Sequence, residues 1–260
     1  MTTESKTICS YLAGSRAYGL DTPQSDVDYR GVYLTTDVGE ILGTKLNFKS
    51  NDHKYNEQLK TDQLYFELRH FFRILQSGST NAMELLFNES WLIKEQIWSM
   101  IQQHRMELIN PDKVYKSLSG HIHNEIRQFD VGIDYHQLDS IALDDHKLLL
   151  LPSWSSRVKH IIHALRLAKV GWFFFTKGEF PLDLADCSFI YYSLLKNIQQ
   201  DPTDFPKEEL MELVTKAVTA MDDAYIKNKT MINHSYAWND HVVEQLVLEA
   251  YYPILTENTH

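Results

Sequence analysis

The chain has 260 residues, 43% hydrophobic and 23% charged, with 35 acidic against 25 basic side chains. That composition excludes wholesale disorder, and the length supports a sizeable core in one large or two smaller domains. A formal charge of −10 argues against a protein that grips long stretches of nucleic-acid backbone, which takes a broad Lys/Arg surface, yet it leaves room for a local basic pocket.

In chain order, Thr7–Leu12 and Val27–Leu34 read as strands, separated by the turn formers Leu20 to Ser25. Lys45–Phe48 and Tyr55–Thr61 read as two more. From Leu64 the period changes: Leu64, Leu68, Phe71, Phe72 and Leu75 recur at helical steps. Beyond residue 88 the spacing predicts helices over Trp91–Ile109, Val114–Gln128, Ser153–Trp172, Leu182–Ile198, Pro206–Ile226 and Asp240–Tyr251. Ser153 or Ser155 is the expected cap of the third, whose stripe is Val158, Ile161, Ile162, Leu165 and Ala168. The expected fold is α+β: a small mixed-sheet domain over residues 1–90, then an all-helical, bundle-like domain over 91–260.

Cys9 and Cys187 have no finger or Cys-x-x-Cys spacing and read as small buried hydrophobes. Met1–Lys6 has no signal-peptide character, and no apolar run approaches the ~20 residues of a membrane helix. The expectation is a cytoplasmic protein with no membrane partner.

Chemistry concentrates in Leu12-Ala13-Gly14-Ser15-Arg16-Ala17-Tyr18-Gly19-Leu20 and Ser25-Asp26-Val27-Asp28-Tyr29-Arg30-Gly31-Val32-Tyr33. Gly14 lets a phosphate approach the backbone, where free N–H groups and the Ser15 hydroxyl can hold it. Asp26 and Asp28, at i and i+2, share one face of a strand and can share a divalent cation. A phosphate cradle beside paired carboxylates suits metal-assisted phosphoryl or nucleotidyl transfer. Ten residues separate Ser15 from Asp26.

These motifs resemble the nucleotidyltransferase superfamily of DNA polymerase beta, whose signature is Gly-Gly or Gly-Ser, a spacer, then Asp-hydrophobic-Asp/Glu-hydrophobic. Gly-Ser-x-Ala-Tyr-Gly followed by Ser-Asp-x-Asp-x-Arg-Gly-Val is similar, more narrowly, to nucleotidyltransferases of bacteria and phages sometimes encoded beside RNA ligases. The resemblance is sharp over residues 12–34 and looser through Asp62–Phe87 and Arg157–Leu167. It implies transfer of a nucleoside monophosphate from a nucleoside triphosphate to a hydroxyl, with pyrophosphate leaving and two Mg²⁺ or Mn²⁺ ions. It also implies a third carboxylate, for which Asp62 is the choice and Glu57 the competitor; a plain helix cap is the other reading of Asp62. Asn81 and Glu84 follow Gly78-Ser79 where the family often has Gly-Asn-Pro, so their roles stay open.

Lys159, His163 and Arg166 fall on one side of the Ser153–Trp172 helix. Together with Arg16 they are candidate phosphate contacts, and the family has a basic helix in a similar place. Arg16 and Arg30 can instead pair with neighbouring acids. His121 and Glu125 share a helix face while His123 does not, so this stretch reads against a transition-metal site. The acceptor stays open among an RNA end, a small molecule and a protein, with no extended duplex expected. A silent nucleotide-binding or antitoxin-like module of the same fold is the alternative.

Overall fold

Alternating strand formers give Ser5–Ala13 (β1) and Val27–Thr35 (β2) the long extended runs around which the sheet is built. The computed structural model describes residues 5–44, 50–130 and 153–257. Asn51–Asn56 (β3), Thr61–Glu67 (β4) and Ile93–Lys94 (β5) complete a mixed sheet of order β3-β4-β2-β1-β5. β2 and β4 are parallel and every other pair is antiparallel.

The helices are Gly14–Ala17 (α1), Val38–Ile41 (α2), Leu68–Gln76 (α3), Thr80–Phe87 (α4) and Gln96–Gln103 (α5). Then follow Pro111–Asp130 (α6), Trp154–Lys177 (α7), Phe189–Gln200 (α8), Lys207–Ser235 (α9) and Asp240–Glu257 (α10). The fold class is α+β, as expected. Among the described residues no helix is long and apolar enough to cross a membrane.

The chain divides into two compact units, Met1–Val114 with Asn233–His260, and Tyr115–Ile232. In the first, the buried face of α3 is Leu68, Phe71, Phe72 and Leu75, the stripe that the helical period marks. Phe71 meets Trp98 of α5 edge-to-face, ring centroids 5.1 Å apart. Glu67, at the end of β4, caps α3 by accepting from the Arg69 and His70 N–H groups and pairs with Arg69 Nε at 2.9 Å. Tyr251 of α10 donates its hydroxyl to the same fully buried carboxylate. In the second unit, Leu118 and Ile122 of α6, Ile161, Leu165 and Ala168 of α7, Leu195 of α8 and Val214 of α9 are buried. Ser153 caps α7 by accepting from Ser156 N–H, and Gly178 ends it in the left-handed conformation. Phe173, Phe174 and Phe175 are core.

Four expectations need correction. Tyr55–Thr61 is not a strand: the chain turns over residues 57–60 between β3 and β4. The helix starts at Leu68, not Leu64, because Asp62 to Phe66 pair with β2 on one side and β3 on the other, and this ladder overrides the local period. Trp91–Ile109 is not one helix. Ile93–Lys94 pairs with Cys9 and Ser10 of β1, and α5 gives way to a single 3₁₀ turn at Arg105–Glu107. Cys9 is buried, but Cys187 is exposed in the segment before α8. Lys45–Phe48 lies outside the described residues.

Candidate active site

β1 ends at Ala13, and the chain turns through Gly14 into the one-turn α1. Gly14 has φ +62°, a conformation that costs any L side chain. A Cβ there would also lie 1.8 Å from Asp28 Oδ2. Only glycine lets this turn lie against that carboxylate.

Ala13 is opposite Asp28 on β2, and Asp28 is opposite Asp62 on the parallel β4. Opposed residues share a face, with strands about 4.8 Å apart, so Asp28 and Asp62 stand side by side. Asp26 lies exposed just ahead of β2. Arg30, two residues beyond Asp28, reaches Asp62 Oδ2 at 3.0 Å. His53 of β3 meets Asp62 Oδ1 at 2.7 Å from the other side. Asp62 is therefore a strand residue and not a helix cap; the cap of α3 is Glu67. Glu57 sits exposed in the β3–β4 turn, one residue beyond the end of the ladder.

The two neighbours differ electrostatically. Burial raises the Asp28 carboxyl above the ordinary range; Arg30 pulls it back, while Asp62 and Asp26 push with burial. Burial also works to raise Asp62, but the His53 hydrogen bond and the Arg30 guanidinium outweigh it and hold the group low. Asp62 is thus kept ionised.

Around this row the motif has structural work. Arg16 turns to Asp21 Oδ2 and the Ser25 carbonyl, each at 3.5 Å, bracing the loop that leads to Asp26. Tyr18 donates to both oxygens of Glu84 at 2.9 Å, and Glu84 is buried on α4. Asn81 is exposed. The partner of Glu84 lies 66 residues away, in the tyrosine of the Gly-Ser-x-Ala-Tyr-Gly motif.

In the second unit Lys159 is exposed, whereas Arg166 is only 1% exposed and its Nη2 donates to His163 Nε2 at 3.2 Å. The structure brings His163 and Arg166 together and leaves Lys159 apart in solvent. His163 Nδ1 and His121 Nε2 both approach Glu125 Oε1, and His160 Nδ1 meets Glu125 Oε2. His123 turns away to the Ser119 carbonyl, as its helical phase requires. His160 and His163 come from a second helix, so the spacing within α6 carries only half of this grouping.

A mixed sheet that sets a Gly-Ser turn against carboxylates on adjacent strands is the arrangement that the resemblance to polymerase beta-like α+β proteins implies. Residues 2–220 match the model of the RNA repair pathway DNA polymerase beta family, and the chain belongs to that family. It is 24% identical over 134 residues to the uncharacterized 38.9 kDa protein in the nrdC-mobD intergenic region of Enterobacteria phage T4. That match covers 48% of this chain and 39% of the phage protein, so the chain spans well under half of its relative. Among solved structures it is similar to a nucleotidyltransferase-like protein from Exiguobacterium sibiricum, at 13% identity and a TM-score of 0.29. That similarity covers 98% of this chain and 73% of the other.

Proposed function

We propose that the protein is a divalent-metal-dependent nucleotidyltransferase that moves a nucleoside monophosphate from a nucleoside triphosphate to a hydroxyl and releases pyrophosphate. The observation that carries this reading is the side-by-side placement of Asp28 and Asp62, with the Gly14 turn against Asp28. The donor set fits a hard cation: Asp26, Asp28 and Asp62 offer oxygens only, and Asp28 is raised in part by its two acidic neighbours. Bound there, Mg²⁺ or Mn²⁺ would neutralise charge on the phosphate oxygens.

The chain's own residues do the rest. Gly14 and Ser15 offer backbone N–H groups and a hydroxyl to a phosphate. Asp62, held ionised by His53 and Arg30, would serve as the third metal-holding carboxylate. Arg16 holds the loop that positions Asp26. The family's name favours an RNA 3′ hydroxyl as acceptor.

The test is incubation with each α-labelled nucleoside triphosphate, Mg²⁺ or Mn²⁺, and RNAs with free or blocked 3′ ends. Pyrophosphate release with label on the free-ended RNA is expected, and Asp26→Asn/Asp28→Asn should abolish both. Equal behaviour of the two proteins would sink the reading. One observation favours a silent nucleotide-binding module instead: Arg30 already supplies an internal cation to Asp62. Tight triphosphate binding without pyrophosphate release under any acceptor is its signature.

A further inference from the structure

The Glu125 cluster of the second unit is unused by that reaction. Glu125 sits on α6 with its side chain 11% exposed, and three imidazoles converge on its two oxygens. His160 Nδ1 lies 2.7 Å from Oε2, the length of a strong hydrogen bond to a carboxylate. The other two contacts are different. His121 Nε2 and His163 Nδ1 stand 3.3 and 3.2 Å from the same Oε1, beyond the ~2.7–2.9 Å of a charge-assisted N–H···O bond.

Those longer distances match another geometry. Two ligand atoms held ~2.0–2.1 Å from a tetrahedral ion are separated by ~3.3 Å. One ligand atom from each of His121, Glu125 and His163 lies within 4.8 Å of both others. The two rings are set edge-to-face, interplanar angle 88° and centroids 5.1 Å apart. His121 and Glu125 are one helical turn apart on α6, which aims both the same way, and His163 arrives from α7.

We propose that His121, Glu125 and His163 form a binding site for a transition-metal ion of the Zn²⁺ class, which joins α6 to α7. Two imidazole nitrogens and one carboxylate oxygen select such an ion over Mg²⁺. His160 is the outer partner that holds the second carboxylate oxygen, as ligating carboxylates are commonly held. Both ligand histidines keep about a third of their side-chain surface in solvent, so water or a substrate atom can take the fourth position.

Arg166 defines the metal-free state. Because a guanidinium only donates, its contact to His163 Nε2 places the ring proton on Nδ1, facing Glu125. Loading the site moves that proton to Nε2 and releases the Arg166 contact.

The full chain, stripped with chelator and carrying no histidine tag, is titrated with Zn²⁺ and with Co²⁺ in excess Mg²⁺. One equivalent of zinc by elemental analysis is expected, with the intense visible absorption of four-coordinate cobalt and a raised melting temperature. His121→Ala and His163→Ala should each weaken binding at least tenfold. His123→Ala and Asp26→Asn/Asp28→Asn should leave it unchanged, which separates this site from the acidic row and makes its failure distinguishable from failure of the transferase reading. Circular dichroism identifies variants that still fold, and His121→Gln serves where His121→Ala does not. No zinc uptake by the wild-type chain, or uptake that persists in folded His121 and His163 variants, would overturn the proposal.

Discussion

Asp28 lies directly opposite Asp62 across the parallel β2–β4 ladder, yet the structure pushes their acidities in opposite directions. Asp28 is raised by burial and by acidic neighbours, whereas Asp62 is drawn down by two cationic or donating partners. One row of the sheet therefore holds a reluctant anion beside a committed one.

The partners of Asp62 can be removed singly. In His53→Ala or Arg30→Met, Asp62 should titrate at a higher pH than in the wild type, since each change deletes a cause of its low value. Carbon-13 NMR titration of the aspartate carboxyls reads this directly. An Asp62 titration that stays put in both variants would contradict the account.

Gly14→Ala should damage both fold and site. Its left-handed backbone alone makes the change cost about 1–2 kcal/mol, and the new methyl must also displace the Asp28 carboxylate. A urea melt should show the lower stability, and pyrophosphate release should fall further than stability alone explains. An unchanged melting midpoint would refute the turn geometry.

Tyr251→Phe removes a buried donor from Glu67, a carboxylate that already caps α3 and pairs with Arg69. Hydrogen bonds to charged groups contribute about 1.5–3 kcal/mol, and a loss in that range is expected in urea denaturation. A loss under 0.5 kcal/mol, on the order of a neutral surface change, would mean the contact is dispensable.

Glu125 yields a pH prediction for the metal-free protein. Burial would raise its carboxyl, but hydrogen bonds from His121, His163 and His160 dominate and hold it well below the usual range. A depressed folded value means its stabilisation is present above the ordinary glutamate range and is lost as pH falls toward the folded value. Glu125→Gln should thus be less stable than the wild type at neutral pH, with the gap closing in acid. Denaturant midpoints over a pH series check this, and a gap that widens on acidification would reverse the sign.

Sequence carried much of this fold where the information was local. β1, β2, the α3 stripe, and the Ser153 cap of α7 follow from periodicity and capping chemistry. So does the Gly14 turn followed by Asp26 and Asp28. What escaped was non-local. Asp62, the chosen third carboxylate, also admitted a helix-cap reading because nothing nearby reveals that its strand is clasped by β2 and β3. The two-residue β5 exists only through its pairing with β1. Arg166, a candidate phosphate contact by helical phase, is buried against His163. The Glu125 cluster needs two helices far apart in sequence, so neither half announces it.

The return of α10 to the first unit has a consequence for how the protein is made. Residues 115–232 are an uninterrupted stretch, whereas the first unit is closed only by residues 233–260. On a ribosome the helical unit is therefore fully synthesised while the sheet still lacks its final helix, and Glu67 waits for Tyr251, 184 residues later. The order of assembly is written into the topology: the insert can mature first, and the strands that carry Asp28 and Asp62 gain the support of α10 only after it.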